Sequence, residues 1–366
     1  MFHASPFFLL GVRPMKRLIA ALIAAVSLVS MTACEMGGKT KYTEYSFDYF
    51  DTATTLVGYA ETKEEFNAIC TEIKGLLKEY HQLYNIYNRY EGVTNLCTVN
   101  DLENGVHKTV QVDPKIMGLL TYARELYTLT EGKMNIAMGS VLSIWHQYRT
   151  EGTNNPENAS LPPMEQLRAA AEHTDIRQMI LNEEDSTVYL ADPAMTLDVG
   201  AIAKGYATEQ IALYLEEKGI TGYILNVGGN VRCIGSHPNG DPWTVGIENP
   251  DNEKESEPHI AYLHLHDKSL VTSGSYQRYY TVNGIRYHHI IDPETLMPGT
   301  NFLSVSVLCT DSGRADALST ALFTMTYEEG SALVESLAEV EAMWVLPNGE
   351  QRYSTGFEDY TFDYRA

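Results

Sequence analysis

The stretch Leu197-Asp-Val-Gly-Ala-Ile-Ala-Lys-Gly-Tyr-Ala-Thr-Glu-Gln-Ile-Ala-Leu-Tyr-Leu-Glu-Glu-Lys218 joins a turn of small residues to a helix. Apolar residues recur in its second half at the steps of a helix: Ile211, Ala212 and Leu215. A small-residue turn at a helix start leaves backbone N–H groups free, and the helix dipole favours an anion there. Lys204 lies in this turn, beside Gly205. The stretch therefore predicts an anion-binding turn or, alternatively, a packing turn with a surface lysine.

The segments around this stretch predict an α+β fold of mixed or antiparallel sheets with segregated helices. Helices are predicted at residues 61–87, 114–130, 164–171, 313–325 and 328–338. Strands are predicted at residues 187–190, 195–199, 223–227, 231–234, 243–247, 260–265, 269–273, 287–291, 304–308 and 342–346. Residues 45–60 predict a strand pair with its bend at Phe50-Asp51-Thr52, and residues 146–163 predict a loop.

The composition is that of a globular protein with a strong negative charge. Of the 366 residues, 44% are hydrophobic, which is enough apolar material for a sizeable core. The formal net charge of −22 argues against nucleic acid and against an anionic membrane surface as partners. An anionic substrate would need a local cationic site or a metal ion to offset this charge.

The N-terminus predicts export from the cytoplasm. Lys16 and Arg17 precede an apolar run at residues 18–33 that is shorter than a membrane span. The run closes on Met31-Thr32-Ala33-Cys34, which resembles a bacterial lipobox whose cysteine becomes the lipidated first residue. An ordinary secretory signal cleaved nearby is the alternative.

These boundaries divide the chain into four parts. We expect a signal peptide at residues 1–33, a tether at residues 34–45, one folded domain at residues 46–350 and a tail at residues 351–366. Four cysteines follow Cys34, and none of them is spaced as CxxC: Cys70, Cys97, Cys233 and Cys309. A zinc site is therefore not expected, and buried free thiols are favoured over disulfides.

Two further segments carry residues suited to chemistry. Asp316 and Thr320 are four residues apart near a predicted helix N-terminus, so their side chains share one face. A carboxylate and a hydroxyl suit Mg²⁺, although Asp316 could instead only stabilise the helix dipole. In Tyr287-His-His-Ile-Ile-Asp-Pro293, the histidines His288 and His289 would point to opposite faces of a strand. At most one of them is expected to reach a given site.

Five motifs, in their order along the chain, resemble the ApbE family of FAD:protein FMN transferases, once named thiamine biosynthesis lipoproteins. They are Asp198-Val-Gly-Ala-Ile-Ala-Lys-Gly-Tyr-Ala207, Asn226-Val-Gly-Gly-Asn230, Thr272-Ser-Gly-Ser-Tyr276, His289-Ile-Ile-Asp-Pro293 and Asp316-Ala-Leu-Ser-Thr-Ala321. Each motif alone is weak, but five in this order are specific. The resemblance covers residues 45–350 and implies the ApbE-like α+β fold.

The resemblance also implies the substrate, the metal and the residues that bind them. Family members move the FMN half of FAD onto a threonine hydroxyl of an electron-transport flavoprotein and release AMP. The implied Mg²⁺ ligands are the Ala201 carbonyl, Asp316 and Thr320. The implied FAD contacts are Tyr87, Met134, Asn135, Asp198, Lys204, His289 and Ile290.

The attacking hydroxyl must lose its proton, and two residues could accept it. His289 is the expected general base, because a neutral imidazole is populated near pH 7. Asp316 is the competing candidate, although a metal-bound carboxylate is a poor base. Lys204 and the adjacent helix start would add positive potential at the pyrophosphate.

The chain departs from the family pattern at three places. Gly132-Lys-Met-Asn-Ile136 stands where Gly-Ala-Phe-Asp-Pro is usual, so Asn135 replaces a carboxylate in the expected FAD site. Phe50-Asp-Thr52 stands where Met-Gly-Thr is common, and Asn230 stands where Asp often follows the paired glycines. An asparagine keeps the hydrogen-bond acceptor and loses the charge.

The expected partners are FAD and an acceptor subunit that carries the target threonine, of the Rnf/Nqr type or with an FMN-binding domain. The expected location is the outer face of the cytoplasmic membrane, or the periplasm, through a lipid anchor at Cys34. Two other functions fit the same motifs. One is a lipoprotein that binds or scavenges FAD, and the other is an FAD pyrophosphatase that forms FMN and AMP.

Overall fold

The computed structural model describes residues 38–251 and 257–363. The predicted signal peptide and Cys34 lie outside these residues. Within them, no helix has the length and apolar character needed to cross a membrane.

An antiparallel sheet of eight strands is the centre of the fold. The strands of all sheets in the described residues are β1 Thr40–Ser46, β2 Thr54–Ala60, β3 Leu102–Glu103, β4 Val106–His107, β5 Val110–Gln111, β6 Met179–Asn182, β7 Thr187–Leu190, β8 Tyr223–Val227, β9 Asn230–Ile234, β10 Trp243–Glu248, β11 His259–Leu265, β12 Ser269–Gly274, β13 Tyr279–Val282, β14 Ile285–His288, β15 Ser304–Cys309, β16 Glu341–Val345 and β17 Gln351–Tyr353. The large sheet has the order β1-β2-β8-β9-β12-β15-β16-β17, and every neighbouring pair in it is antiparallel. Its inner strands β2 and β15 are buried at every residue, so both faces of the sheet are covered.

Helices cover one face of this sheet and also extend beside it. They are α1 Lys63–Leu83, α2 Leu96–Val99, α3 Pro114–Leu129, α4 Gly139–Asn154, α5 Met164–Ala171, α6 Ala203–Glu217, α7 Ser312–Thr324 and α8 Tyr327–Glu335. Polar side chains cap the helix starts, since Thr62 caps α1, Asp113 caps α3 and Asp311 caps α7. Apolar residues of α1, α3, α6 and α7 pack with those of the sheet in one buried cluster, which is the main core.

The other face of the sheet is covered by the hairpin of β10 and β11. Its buried residues Trp243, Ile247 and Leu263 pack against Val57 and Leu308 of the sheet in a second apolar cluster. A third cluster joins α4 and α5 to the small β13–β14 hairpin. The antiparallel sheets with separate helices confirm the predicted α+β class.

A buried ion pair fixes α6 to the sheet and to α7. The Arg232 side chain, on β9, is 2% exposed and contacts Glu209 at 3.2 Å and Glu216 at 2.9 Å. The backbone N–H of Ser312, at the start of α7, donates to Glu209 Oε2 at 2.8 Å. Buried charges are tolerated when they are paired and hydrogen-bonded, as here. This network sets the position of the two helices that carry the candidate site.

Both ends of the predicted domain need correction. The predicted tether at residues 34–45 overlaps β1, which pairs with β2 along its whole length, so Thr40–Ser46 belongs to the sheet. The predicted tail at residues 351–366 includes β17, which pairs with β16, and the short helix Phe357–Tyr360. Phe357 is fully buried in the second cluster.

Three predicted elements differ from the structure. The predicted loop at residues 146–163 begins with helix, because α4 continues to Asn154. The predicted strand at residues 195–199 has alternating burial but forms only a single bridge, between Thr196 and Met138, and the side chain of Asn100 bonds the N–H and the C=O of Leu197 at 2.7 and 2.9 Å. The predicted strand at residues 287–291 already ends at His288. The four cysteines are free thiols, as favoured, and three of them are buried.

Candidate active site

Two of the motifs meet where α6 starts against α7. The backbone N–H of Gly205 donates to Asp316 Oδ2 at 2.8 Å, and Lys204 Nζ lies 3.4 Å from both carboxylate oxygens. Asp316 is only 4% exposed. Burial raises the pKa of Asp316, and the nearby Lys204 and the Gly205 N–H oppose that rise. The site therefore holds a buried carboxylate with one cation beside it.

Gly205 is required by the close approach of the two helices. A Cβ at this position would lie 2.3 Å from the Ser312 carbonyl oxygen and 2.5 Å from Asp316 Cβ. No side chain fits between two backbones at that distance. The glycine of the motif is thus explained by helix packing, and this packing brings Lys204 to Asp316.

The predicted metal ligands have the chemistry that Mg²⁺ requires. Asp316 offers a buried carboxylate, and Thr320 lies one turn further along α7 with a half-buried hydroxyl that bonds no group among the described residues. In the turn before α6, backbone N–H groups donate to the carbonyls of Val199 and Ile202, and within the described chain none donates to the Ala201 carbonyl. A carboxylate, a hydroxyl and a free carbonyl are hard oxygen donors, so they fit a magnesium ion that keeps some water.

This set differs from a metal site made only of ionisable ligands. Across residues 38–251 and 257–363, no group of three His, Cys, Asp or Glu residues is placed to hold a metal ion. Any metal at Asp316 would depend on neutral oxygen donors and on oxygens of the substrate.

Asp198 lies in the turn that precedes α6. Its Oδ1 accepts the N–H of Gly200 at 2.8 Å, and its own N–H donates to the Ile136 carbonyl at 2.8 Å. Burial raises the pKa of Asp198, while the Gly200 N–H and the facing His146 and Arg149 oppose the rise. The carboxylate therefore faces two basic side chains of α4.

Positive charges surround His289. Its ring Nδ1 is buried and has no hydrogen-bond partner among the described residues. Burial, followed by the charges of Arg278, Arg149, His288 and Lys204, holds the pKa of His289 well below its usual range. The imidazole is therefore neutral near pH 7, as a general base requires.

His288, in contrast, is a structural residue. Its Nε2 lies 2.6 Å from the Gly299 carbonyl oxygen, and its Nδ1 accepts the N–H of Ile290 at 3.2 Å. The side chain is buried with its ring edge on Phe323. The backbone therefore uses both ring nitrogens of His288, which leaves His289 as the histidine that can serve the site.

Tyr87 is placed at the open side of this cluster. It is 60% exposed, and its ring stacks on that of His146 with centroids 5.4 Å apart. Arg149 Nη2 lies 3.0 Å from His146 Nδ1. The prediction that Tyr87 is part of a flavin site stays a prediction, but its exposed ring is available for stacking on a planar group.

Three further predicted FAD contacts, which stay predictions, have side chains that pack or bond within the protein. Met134 and Ile290 are buried in the main core. Asn135 is half-buried, and its carboxamide bridges two backbone groups: Nδ2 donates to the Thr174 carbonyl and Oδ1 accepts the N–H of Ala137, both at 2.9 Å. The side chains of these three residues are thus used within the protein.

Three basic residues of the cluster were not predicted: His146, Arg149 and Arg278. The first two lie on the part of α4 that was predicted to be a loop. Arg278 follows the Thr272–Tyr276 motif by two residues, and its Nη2 lies 3.5 Å from the Asp51 carbonyl oxygen. Because the chain has a net charge of −22, basic residues near one histidine are the signal that would have identified this part of the site.

The fold and these motifs have known counterparts. A sequence model described as the ApbE family matches residues 43–344. The curated FAD:protein FMN transferase of Klebsiella pneumoniae (strain 342) is 32% identical over 276 residues, which cover 73% of this chain and 82% of that protein. The FAD:protein FMN transferase of Haemophilus influenzae is 29% identical over 329 residues, which cover 88% of this chain and 91% of that protein.

Solved structures agree with the sequence relatives. The crystal structure of the ApbE protein of Thermotoga maritima superposes with a TM-score of 0.75 at 28% identity, covering 88% of this chain and all of that one. The flavin transferase ApbE of Vibrio cholerae superposes with a TM-score of 0.73 at 25% identity, covering 88% of this chain and 99% of that one. The match in sequence, fold and motif order shows that the chain belongs to the ApbE family.

Proposed function

We propose that this protein transfers the FMN moiety of FAD to a threonine of an exported electron-transport flavoprotein and releases AMP. The observation that carries the proposal is the contact of Lys204 and Gly205 with the buried Asp316, beside a cluster of basic residues around His289. The curated relatives are named FAD:protein FMN transferases, which supports the transfer of FMN from FAD to a protein.

The basic cluster suits the pyrophosphate of FAD. Arg149, Arg278 and Lys204 all act electrostatically on His289, so their charges reach one region. A pyrophosphate brings negative charge that the rest of this acidic chain would repel. Arginine forks and an ammonium group are the usual donors to phosphate oxygens. These three residues would hold the donor substrate and offset its charge.

Attack by a threonine hydroxyl needs a proton acceptor, and His289 is suited to that role. Its ring is neutral near pH 7, and the buried Nδ1 has no partner in the described chain. The hydroxyl oxygen forms a bond to the riboflavin-side phosphorus, the bond to the AMP phosphate oxygen breaks, and the hydroxyl proton passes to the imidazole. Positioning and charge neutralisation supply most of the catalysis in such transfers.

Ala201, Asp316 and Thr320 would hold Mg²⁺. When bound, the ion would neutralise charge that develops on phosphate oxygens during the transfer. Lys204 then has a second role, because it offsets the Asp316 carboxylate whenever the ion is absent. This assignment makes Asp316 a ligand and leaves proton transfer to His289.

We further propose that the protein acts outside the cytoplasm, anchored through Cys34. The support is the lipobox-like Met31-Thr32-Ala33-Cys34 that follows an apolar run. An acceptor protein would therefore present its threonine on the same side of the membrane.

The products of FAD distinguish transfer from the two alternative functions. Purified protein is incubated with FAD and Mg²⁺, with and without an acceptor domain, and the nucleotides are separated by chromatography. Transfer predicts AMP without free FMN, and only when the acceptor is present. Equal amounts of AMP and free FMN in both samples would show a pyrophosphatase, and unchanged FAD would show a binding protein.

A further inference from the structure

Lys133 forms an ion pair, mostly shielded from water, that has no part in the proposed transfer as described so far. Its Nζ lies 3.3 Å from Asp292 Oδ1 and 2.9 Å from Glu294 Oε1. The side chains of Lys133 and Asp292 are only 13% and 11% exposed, whereas that of Glu294 is 74% exposed. Exposed ion pairs contribute little, because water and salt screen them. The contact with Asp292 is therefore the one that can fix two segments relative to each other.

The segment that carries Lys133 is held firmly by the protein. Gly132 has a φ of 88°, a conformation that favours glycine, and it turns the chain after α3. Thr130 is fully buried, and its hydroxyl oxygen accepts the N–H of Met134 at 3.1 Å. Met134 is itself fully buried in the main core. The side chain of Lys133 therefore starts from a fixed backbone.

The same segment holds the turn that precedes α6. The carbonyl of Ile136 accepts the N–H of Asp198 at 2.8 Å. Three residues earlier, the side chain of Lys133 reaches Asp292, which follows His289 by three positions. One short segment thus contacts both the Asp198 turn and the loop that carries His289.

Asp292 connects Lys133 to the backbone of that loop. The N–H of Asp292 donates to the Met297 carbonyl at 2.9 Å, which closes a turn. Asp292 Oδ1, the oxygen that contacts Lys133, also accepts the N–H of Glu294 at 3.1 Å. A displacement of the carboxylate would therefore move the turn with it.

His289 depends on its backbone for its position. Its Nδ1 is buried and has no hydrogen-bond partner among the described residues. A histidine that accepts a proton is usually oriented by a hydrogen bond to its other ring nitrogen. Without such a bond, the main chain on both sides must place the ring. On one side His288 contacts the Gly299 carbonyl, and on the other side Asp292 contacts Lys133.

We propose that Lys133 is a positioning residue for the transfer, which acts through Asp292 to hold His289 at a fixed distance from the Asp198 turn. Without this pair, the imidazole remains neutral but occupies less often the position from which it accepts the hydroxyl proton. A misplacement of about 1 Å can cost about 100-fold in rate. The inference rests on the proposed transfer, because it concerns the base of that reaction.

Steady-state kinetics separate positioning from substrate binding. We expect Lys133→Met to lower kcat for FMN transfer about tenfold or more at saturating FAD. Its FAD Kd, measured by flavin fluorescence, should stay within about twofold of the wild type. Lys133→Arg keeps a cation that can contact Asp292 and should recover most of the kcat. Glu294→Gln is the matched control, because it removes the exposed partner of the same lysine and should keep the wild-type kcat.

A double variant separates positioning from loss of folding. Lys133→Met combined with Asp292→Asn leaves neither charge without its partner, and thermal unfolding shows whether each variant is folded in the assay. We expect the double variant to be no slower than Lys133→Met alone, because both changes remove one contact. Additive losses of kcat in the folded double variant would overturn the inference. A raised FAD Kd with unchanged kcat in Lys133→Met would also overturn it and would make Lys133 a substrate ligand.

Histidine NMR tests the same claim without turnover. In protein labelled with ¹³C-histidine, the Cε1–H signal of His289 is identified by its absence from the His289→Gln spectrum. We expect Lys133→Met to shift or broaden this signal and Glu294→Gln to leave it in place. An unchanged His289 signal in Lys133→Met would overturn the inference. If the wild type transfers no FMN while the signal responds as expected, the proposed function fails and the positioning of His289 by Lys133 stands.

Discussion

The backbone N–H of Gly205 donates to Oδ2 of Asp316 at 2.8 Å, although the two residues are 111 positions apart in the chain. The Gly205 N–H, in the first turn of α6, therefore bonds a side chain of α7 instead of the backbone carbonyl four residues earlier, which is that of Ala201. As a consequence, the Ala201 carbonyl accepts no backbone N–H within the described chain. One contact thus positions Lys204, fixes the carboxylate and leaves a carbonyl for a ligand.

Replacement of Gly205 by alanine should separate the two helices. The added Cβ would meet the Ser312 carbonyl oxygen at 2.3 Å, so the variant should lose about 1–3 kcal/mol of stability and most of the transfer activity. Denaturant unfolding and a transfer assay measure both effects. Gly75→Ala on α1 is the control, because no atom lies within 4 Å of its Cβ position and alanine favours a helix. A Gly205→Ala protein as stable and active as the wild type would contradict the packing argument.

Asp316→Asn tests the metal assignment. Asparagine can still accept the Gly205 N–H, so the fold should persist, while loss of the charge should lower Mg²⁺ affinity and reduce transfer about 100-fold or more. Isothermal titration of Mg²⁺ into the protein with FAD bound and a thermal unfolding scan separate the two effects. Thr320→Val should weaken Mg²⁺ binding in the same direction, whereas Thr320→Ser should retain it. Full Mg²⁺ binding by Asp316→Asn would remove Asp316 from the ligand set.

The acid limb of the pH–rate profile should report His289. Burial and, after it, nearby cations keep the pKa of His289 well below 6.5, so transfer should stay active near pH 6.5 and fall only at lower pH. Arg278→Gln removes one of these cations, which raises the pKa of His289 and moves the acid limb to higher pH. The readout is kcat against pH at saturating FAD. Arg177→Gln, an exposed arginine paired with Asp175, is the control and should leave the limb in place. A shift to lower pH in Arg278→Gln would contradict the assignment.

Asn135→Asp should harm the protein instead of restoring a family feature. Aspartate can accept the Ala137 N–H but cannot donate to the Thr174 carbonyl, which would then face a carboxylate oxygen. We expect a loss of about 1–3 kcal/mol in stability without a gain in FAD affinity. Thermal unfolding and flavin titration check this. Tighter FAD binding at unchanged stability would show that position 135 contacts the substrate.

The sequence was informative where short-range patterns decide the structure. Apolar periodicity predicted α1 and α3, and their caps Thr62 and Asp113 follow from local hydrogen bonding. Motif order also anticipated that Lys204 and Asp316 belong to one site. These predictions succeed because they depend on residues close in sequence, or on a family pattern that already encodes long-range contacts.

The failures arise where a distant residue decides the local structure. Residues 146–163 look like a loop, yet α4 continues through Gly152 because the ring of Tyr280 packs on that glycine, 2.6 Å from its Cβ position. Residues 195–199 alternate like a strand, but they form only one bridge, to Met138, and the side chain of Asn100 bonds the backbone of Leu197. For the same reason Arg149 escaped prediction, since it reaches the site only from the unexpected part of α4.

The mass of an acceptor domain is the most direct test of the proposed function. The mature protein is mixed with FAD, Mg²⁺ and a candidate FMN-binding acceptor domain, and the intact acceptor is weighed by mass spectrometry. The account predicts a gain equal to one FMN, located on a threonine, that disappears with EDTA and in the His289→Gln protein. An acceptor of unchanged mass beside free FMN and AMP would contradict the proposed transfer and would show that water takes the place of the threonine.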